Sequence, residues 1–319
     1  MLTRIILFPC VFISVNETQI IIIMLMDILR SGIILIDDQN QILQSIEASI
    51  NNWNPKFKRK AKEILKKLKK KNRFVKVSTT QPLISNCNNQ IEEHCIKVFT
   101  SEDFYRIIAR HNQCANNGLV GNRVSLLEDY AISCLVDKLR KSSLTLITGE
   151  WKQDRFEEEI LIPLFRDAKH IKIYDRWIGR SALQGTTNHQ PTLKWFLEVF
   201  QKVATIRLDT VFEVYCGIGS QKKDKILLPK AITALRKFEA EIQVLFPYFK
   251  LFIKEETFDY QLPHDRYLIT NQTSIYIGRG FDLFVKANES YPRRIKDVQI
   301  GYCSNPEKVE PYYRDLVDL

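Results

Sequence analysis

Glycine and proline are scarce, eleven of each in 319 residues, and no low-complexity run collects them. That leaves little material for a long unstructured linker or a fibrous chain, and no repeat of fixed period is apparent. Cysteine is sparse as well: seven, an odd number, scattered without a Cys-x-x-Cys pair. This argues against a disulfide framework and a structural zinc site, and it fits a reducing, cytoplasmic setting. His94 and Cys95 are adjacent and near Cys87, but no second ligand pair stands at metal spacing, so they read as structural. Long apolar runs are missing too. The N-terminal MLTRIILFPCVFIS is interrupted by Pro9 and Cys10 and lacks a cleavage-site pattern, and IIIIMLM at 20–26 stops at Asp27. Neither approaches the roughly 20 residues that span a bilayer, so both are expected to be buried strand and helix.

What is present is an ordinary globular balance, 45% hydrophobic and 26% charged, in a chain long enough for two cored domains. The net charge of +10 is not spread over it. The segment 56–73, KFKRKAKEILKKLKKKNR, holds eleven of the 47 basic residues and one of the 37 acidic ones, which leaves 36 of each elsewhere. Phe57, Ala61, Ile64, Leu65 and Leu68 in it fall on one face of a helix. Lys58, Arg59, Lys62, Lys66, Lys69 and Lys70 take other positions round that helix. Such a block is either a solvated helix face or an anion-binding surface for nucleic acid or acidic lipid, with strong salt dependence.

Strand-like and helix-like stretches alternate along the chain, which predicts an α/β fold, with a largely parallel sheet in the first unit. Strands are expected at 3–8, in GIILIDD and in RFVKVST, and helices over 17–29, over QNQILQSIEASI and over the lysine-rich segment. SEDFYRIIARHN reads as a helix with Ser101 as its N-cap, and SLLEDYAISCLVDKLRKS as an amphipathic helix before the strand LTLIT. A first domain is expected over 1–149. A second α/β domain, 150–319, runs through the helix KQDRFEEEILIPLFRDA and the strand HIKIYD to a hairpin and a closing strand.

That hairpin, LPHDRYLITNQTSIYIGRGFDLF at 262–284, concentrates the chemistry. Side chains alternate along a strand, so His264 and Arg266 share a face and can converge on one anion. Imidazole serves as nucleophile or proton carrier, and guanidinium grips phosphate oxygens as a fork. Gly278, Arg279 and Gly280 would let the backbone bend and its N–H groups approach that anion, with Asp282 alongside. The plainer alternative is a surface ion pair between Asp265 and Arg266.

The order His-Asp-Arg, strand, Ile-Gly-Arg-Gly-hydrophobic-Asp and then Gly-Tyr-Cys resembles the phospholipase D-like C-terminal domain of MIT-domain proteins, over roughly 150–319. IYDRWIG is similar to that family's upstream strand end, and brings Asp175 and Arg176 to the phosphate-binding set. The three-helix MIT module is not recognisable in 1–149, so its membrane-remodelling partners do not carry over. The wider superfamily uses His-x-Lys-x4-Asp, and the register here gives His264, Arg266 and Asn271 as the catalytic set. Arginine for lysine keeps the charge, whereas asparagine for aspartate removes one. No second motif occurs, and His189 has neither Lys nor Arg two residues on, so a two-histidine site implies a homodimer. The named family is regarded as non-catalytic and as binding acidic phospholipid.

The first domain has a fainter similarity to PIN-like nucleases, which gather carboxylates around divalent metal. Asp37, Asp38, Glu128 and Asp129 are its candidates, but Pro9 and Cys10 stand where that family's first acid belongs. No metal or cofactor is therefore assigned. The chain reads as engaging nucleic acid, either as a phosphodiesterase through His264 or as a non-catalytic reader of nucleic acid or an acidic lipid surface.

Overall fold

The computed structural model describes residues 2–13, 15–77, 105–110, 124–141, 143–146, 150–219, 222–257, 265–285, 291–303 and 306–319. Two compact α/β units divide between Lys141 and Ser142. The division falls before the strand LTLIT rather than after it, because that strand pairs with the last strand of the second unit.

Unit 1 is built on a five-stranded parallel sheet of order β3-β2-β1-β4-β5. The strands are β1 (Thr3–Leu7), β2 (Gly32–Asp37), β3 (Phe74–Val77), β4 (Arg106–Ala109) and β5 (Val124–Leu126). Parallel pairing demands crossovers, and α1 (Thr18–Ser31), α2 (Gln41–Asn51) and α3 (Pro55–Lys70) supply them. The apolar runs of β1 and β2 are buried throughout, as a sheet covered on both faces requires. α1 passes into β2 without a loop, and a Cβ on Gly32 would stand 2.7 Å from Ile28.

Two helix expectations fail here. Within SEDFYRIIARHN, Arg106–Ala109 is a central strand between β1 and β5, with Ile107, Ile108 and Ala109 fully buried. A short continuous apolar run does not carry its own period, and tertiary pairing decided it. SLLEDYAISCLVDKLRKS likewise divides into β5, a 3₁₀ turn at Tyr130–Ile132 and a short α4 (Cys134–Arg140). Buried Asp27, which ends the apolar run of α1, pairs with Arg140 at 2.8 Å and accepts from the Tyr130 hydroxyl.

Unit 2 carries a seven-stranded mixed sheet of order β6-β12-β11-β10-β7-β8-β9. β7 (His170–Tyr174), β8 (Val211–Ile218) and β9 (Phe249–Glu255) are parallel. β10 (Tyr267–Thr270), β11 (Ser274–Ile277), β12 (Val298–Tyr302) and β6 (Ser143–Leu146) follow as antiparallel neighbours. Before β7 lies α5, in which Gln153–Phe156 continues through a π turn, Glu157–Leu161, into Ile162–Phe165. Pro163 lacks an N–H, and the wider π turn immediately before it removes the need for one. α6 (Arg176–Leu183), α7 (Gln190–Val203) and α8 (Leu228–Gln243) make the crossovers, and α9 (Glu310–Arg314) lies near the end. Phe156, Phe165, Trp195, Phe196, Phe200, Phe212 and Phe281 form a network of ring contacts in the core. A second cluster has Tyr174 stacked on Tyr215, with the Tyr313 ring set at an angle against both. Among the described residues no helix is long and apolar enough to cross a membrane.

Candidate functional site

In unit 2 the chain directions converge on one sheet edge. β7 and β9 end there at Tyr174 and Glu255, β10 starts there at Tyr267, and β11 ends there at Ile277. Open α/β sheets bind ligands beyond the carboxyl ends of their parallel strands. Asp175, Arg176, Glu256, Arg266 and the Gly278–Gly280 turn all follow or precede those strand ends.

Asp175 organises the edge. Its Oδ1 accepts from the Trp177 backbone N–H at 2.8 Å, capping α6, and its Oδ2 accepts from the Phe281 N–H at 3.0 Å. The Arg266 Nε lies 3.7 Å from Oδ1, and Arg266 Nη1 donates to the Gly278 carbonyl at 3.2 Å. The Arg266 guanidinium also stands 5.6 Å from the centre of the Trp177 ring, and that of Arg180 at 5.2 Å, within cation–π range. Burial raises the Asp175 pKa, opposed by the two N–H donors and by Arg266. The turn closes tightly over this pair. Gly280 has φ +85°, and a Cβ there would stand 2.8 Å from Asp175 Oδ2 and 3.0 Å from Arg266 Nε.

Behind the edge, Arg176 and Glu256 form an ion pair at 2.7 Å with side chains 1% and 0% exposed. Arg176 is thus neutralised and sealed, so it is not a phosphate ligand. Asp175 likewise holds Arg266 and two amides and is no phosphate contact itself, and Asp282 turns to Lys296 at 2.7 Å. The glycine amides are occupied as well: Gly278 N–H donates to Gln299 O and Gly280 N–H to Ile277 O. What faces outward is Arg279, exposed and without an ion pair among the described residues, beside the half-buried Arg266.

Asn271 lies at the opposite end of β10 from Arg266. Its Oδ1 accepts from Lys169 N–H at 2.9 Å and His170 N–H at 3.4 Å, tying the start of β7 to the β10–β11 turn. It is a strand tie rather than a group facing the anion. His264 lies outside the described residues. Trp177, Arg180 and Glu256 are the participants that sequence reasoning missed. An acid closing the apolar strand β9, and an aromatic two residues after Asp175, were the available signals.

His189 is 3% exposed, and neither ring nitrogen has a hydrogen-bond partner. Its ring meets Phe238 edge-on, and burial lowers its pKa to about 4 against a smaller opposing pull from Asp282. This is a core histidine.

In unit 1, α3 buries Ala61, Ile64, Leu65 and Leu68 and packs against α1 and α2. Lys62, Lys66 and Lys69 share one lip of a groove of about 330 Å³ between α2 and α3, whose walls include Leu43, Ile50, Leu65 and Phe74. Lys58 donates to Asn51 O, Arg59 stands 4.0 Å from Glu63, and Lys70 is exposed. Arg73 departs from the block, since it is buried and donates to the carbonyls of Gly32 and Arg30. The carboxylate candidates do not assemble. Asp37 caps α2 by accepting from Gln41 and Ile42 N–H, Glu128 and Asp129 are exposed after β5, and the described residues hold no cluster of three metal-ligating side chains. At the switch point beside β1 and β4, buried Pro9, Cys10, Val11 and Phe12 stand where dinucleotide-binding folds place a glycine-rich loop. Compared with models of known protein families, with curated proteins and with solved structures, the chain matches none.

Proposed function

We propose that this protein engages nucleic acid through its phosphodiester backbone. The observation that carries the reading is the Arg266–Arg279 edge, with Arg266 fixed in place by buried Asp175 while Arg279 projects into solvent. A pre-set guanidinium loses little freedom when it meets an anion, so it suits a bidentate phosphate contact. The exposed lysines of α3 add a second, sequence-independent cationic surface on unit 1.

Binding rests on the Arg266–Arg279 edge, and turnover on His264. In a phosphodiesterase reading the His264 imidazole attacks phosphorus and the ester oxygen leaves with a proton from a second acid. Water then hydrolyses the phosphohistidine. Arg266 would neutralise charge on the non-bridging oxygens, and a second copy of the chain would supply the second acid.

The test is a nuclease and binding assay on single- and double-stranded DNA and RNA, with and without EDTA, for wild type, His264→Ala and Arg279→Ala. The expected result is salt-sensitive binding that weakens in Arg279→Ala by about one phosphate contact in the salt slope. Metal-independent cleavage abolished by His264→Ala adds the phosphodiesterase step. Cleavage that survives His264→Ala and stops with EDTA assigns the chemistry to other residues. Preference for anionic vesicles over every nucleic acid overturns the proposal in favour of an acidic-lipid reader.

A further inference from the structure

The groove beside α3 has a feature that phosphate binding alone does not require. Lys62, Lys66 and Lys69 recur at intervals of four and three residues and so form one stripe along the helix. None of the three forms an ion pair among the described residues. Directly below them the groove is apolar, with Leu43 and Ile50 from α2, Leu65 from α3 and the half-buried Phe74 from β3. A duplex presents phosphates but keeps its bases stacked inside, and a flat lysine surface would serve it as well. The apolar cleft is of use only to an occupant that has both anionic groups and an uncovered apolar face.

Resting on the nucleic-acid reading above, we propose that this groove is a single-strand-selective subsite. An unpaired base lies in the cleft against Phe74, and its flanking phosphates meet Lys62, Lys66 and Lys69. Charge sets the orientation: the cationic lip is α3, while Glu47 and Asn51 of α2 border the cleft and repel or leave free the backbone. Seating a base against an aromatic ring is tolerant of sequence, because every base has a π-face. The apolar face of α3 is not available for insertion into a bilayer, since Ala61, Ile64, Leu65 and Leu68 are buried in the unit's own core. That favours nucleic acid over an acidic membrane at this helix.

The experiment uses the full chain and two fluorescent probes of equal length, a 15-nucleotide oligothymidylate and a blunt DNA duplex, read by anisotropy. Phe74→Leu keeps the cleft apolar and removes the ring. It is expected to weaken oligothymidylate binding about fivefold or more, while duplex binding stays within twofold. Lys62→Glu with Lys66→Glu should weaken both probes. Photocrosslinking of an iodouracil-substituted strand, followed by peptide mapping, should place adducts on residues 43–74 and is independent of any contact made by unit 2. If wild type binds neither probe nor the matching RNA strand and duplex, the nucleic-acid reading itself fails. If it binds both equally, Phe74→Leu changes nothing and no adduct maps to 43–74, that reading stands and the groove proposal falls. Circular dichroism of each variant confirms that the fold is retained; should Phe74→Leu misfold, Phe74→Tyr replaces it and is expected to retain single-strand selectivity.

Discussion

On α3 of unit 1, Lys62, Lys66 and Lys69 stand exposed, whereas at the unit 2 edge Arg176 is sealed against Glu256 and the half-buried Arg266 is held by Asp175. The first arrangement leaves charge available and contributes little to the fold. The second commits charge to holding strand ends, a helix cap and a glycine turn in place, and among the described residues leaves Arg279 exposed with Arg266 half-buried beside it. A positive side chain in a phosphate-like motif is therefore not a phosphate ligand by default. Arg176 is sealed with its counter-ion at 1% exposure, whereas Arg266 is held by Asp175 at a longer 3.7 Å and stays partly open.

The largest effect that would break this comparison is at Glu256. Removing Glu256 takes from buried Arg176 the carboxylate that stands 2.7 Å from it. Glu256→Ala is expected to destabilise the protein by roughly 3–5 kcal/mol, read as a lowered denaturant midpoint. A loss under about 1 kcal/mol would mean that Arg176 finds another partner or reaches solvent, and the contrast with α3 would collapse.

Second in size is the pH dependence conferred by His189. Its folded pKa of about 4 lies below the ordinary imidazole value of 6.5, so the unfolded chain takes up the proton first as pH falls. The stability that the neutral ring permits is complete above pH 6.5 and is lost progressively down to about pH 4. The gap corresponds to about 3 kcal/mol. Denaturant midpoints measured between pH 7 and pH 4 should fall more steeply for wild type than for His189→Leu, which cannot titrate.

A smaller loss is expected at Gly280. Alanine there must adopt φ +85° and place its Cβ 2.8 Å from Asp175 Oδ2, against a residue that is itself fixed by two N–H donors. A cost of about 2 kcal/mol follows from the conformation, with the contact adding to it. Gly280→Ala should also weaken nucleic-acid binding, because relief of the contact moves Arg266. Unchanged affinity in a folded variant would detach the turn from the binding edge.

These residues differ in how far the sequence disclosed them. The heptad-like apolar spacing of α3 and the uninterrupted runs of β1 and β2 specify their elements locally, and the structure has them where the pattern puts them. β4 was not legible, because Ile107, Ile108 and Ala109 carry no period and only their neighbours β1 and β5 select a strand. At the unit 2 edge, the alternation of β10 and the Gly-Arg-Gly turn were legible as local features. That Asp175 meets Arg266 across 91 positions, and that Asn271 turns to the backbone of Lys169 and His170, depends on sheet order. Sequence spacing grouped Asn271 with Arg266, but five residues of extended chain place them roughly 16 Å apart.

The smallest expected effect on stability tests the other half of the comparison. Lys62 and Lys66 are like charges at i,i+4, a pairing that weakens a helix by a few tenths of a kcal/mol, and alanine is the better helix former. The triple change Lys62→Ala, Lys66→Ala, Lys69→Ala should therefore leave stability unchanged or raise it by about 0.5 kcal/mol. Affinity should move the opposite way, with the slope of log K against log salt for single strands reduced by about 2 if all three lysines meet phosphates. Residues retained for packing lose stability when removed, and residues retained for a ligand do not. A triple variant that melts lower would show these lysines to be part of the fold, and the distinction between the two units would have to be drawn elsewhere.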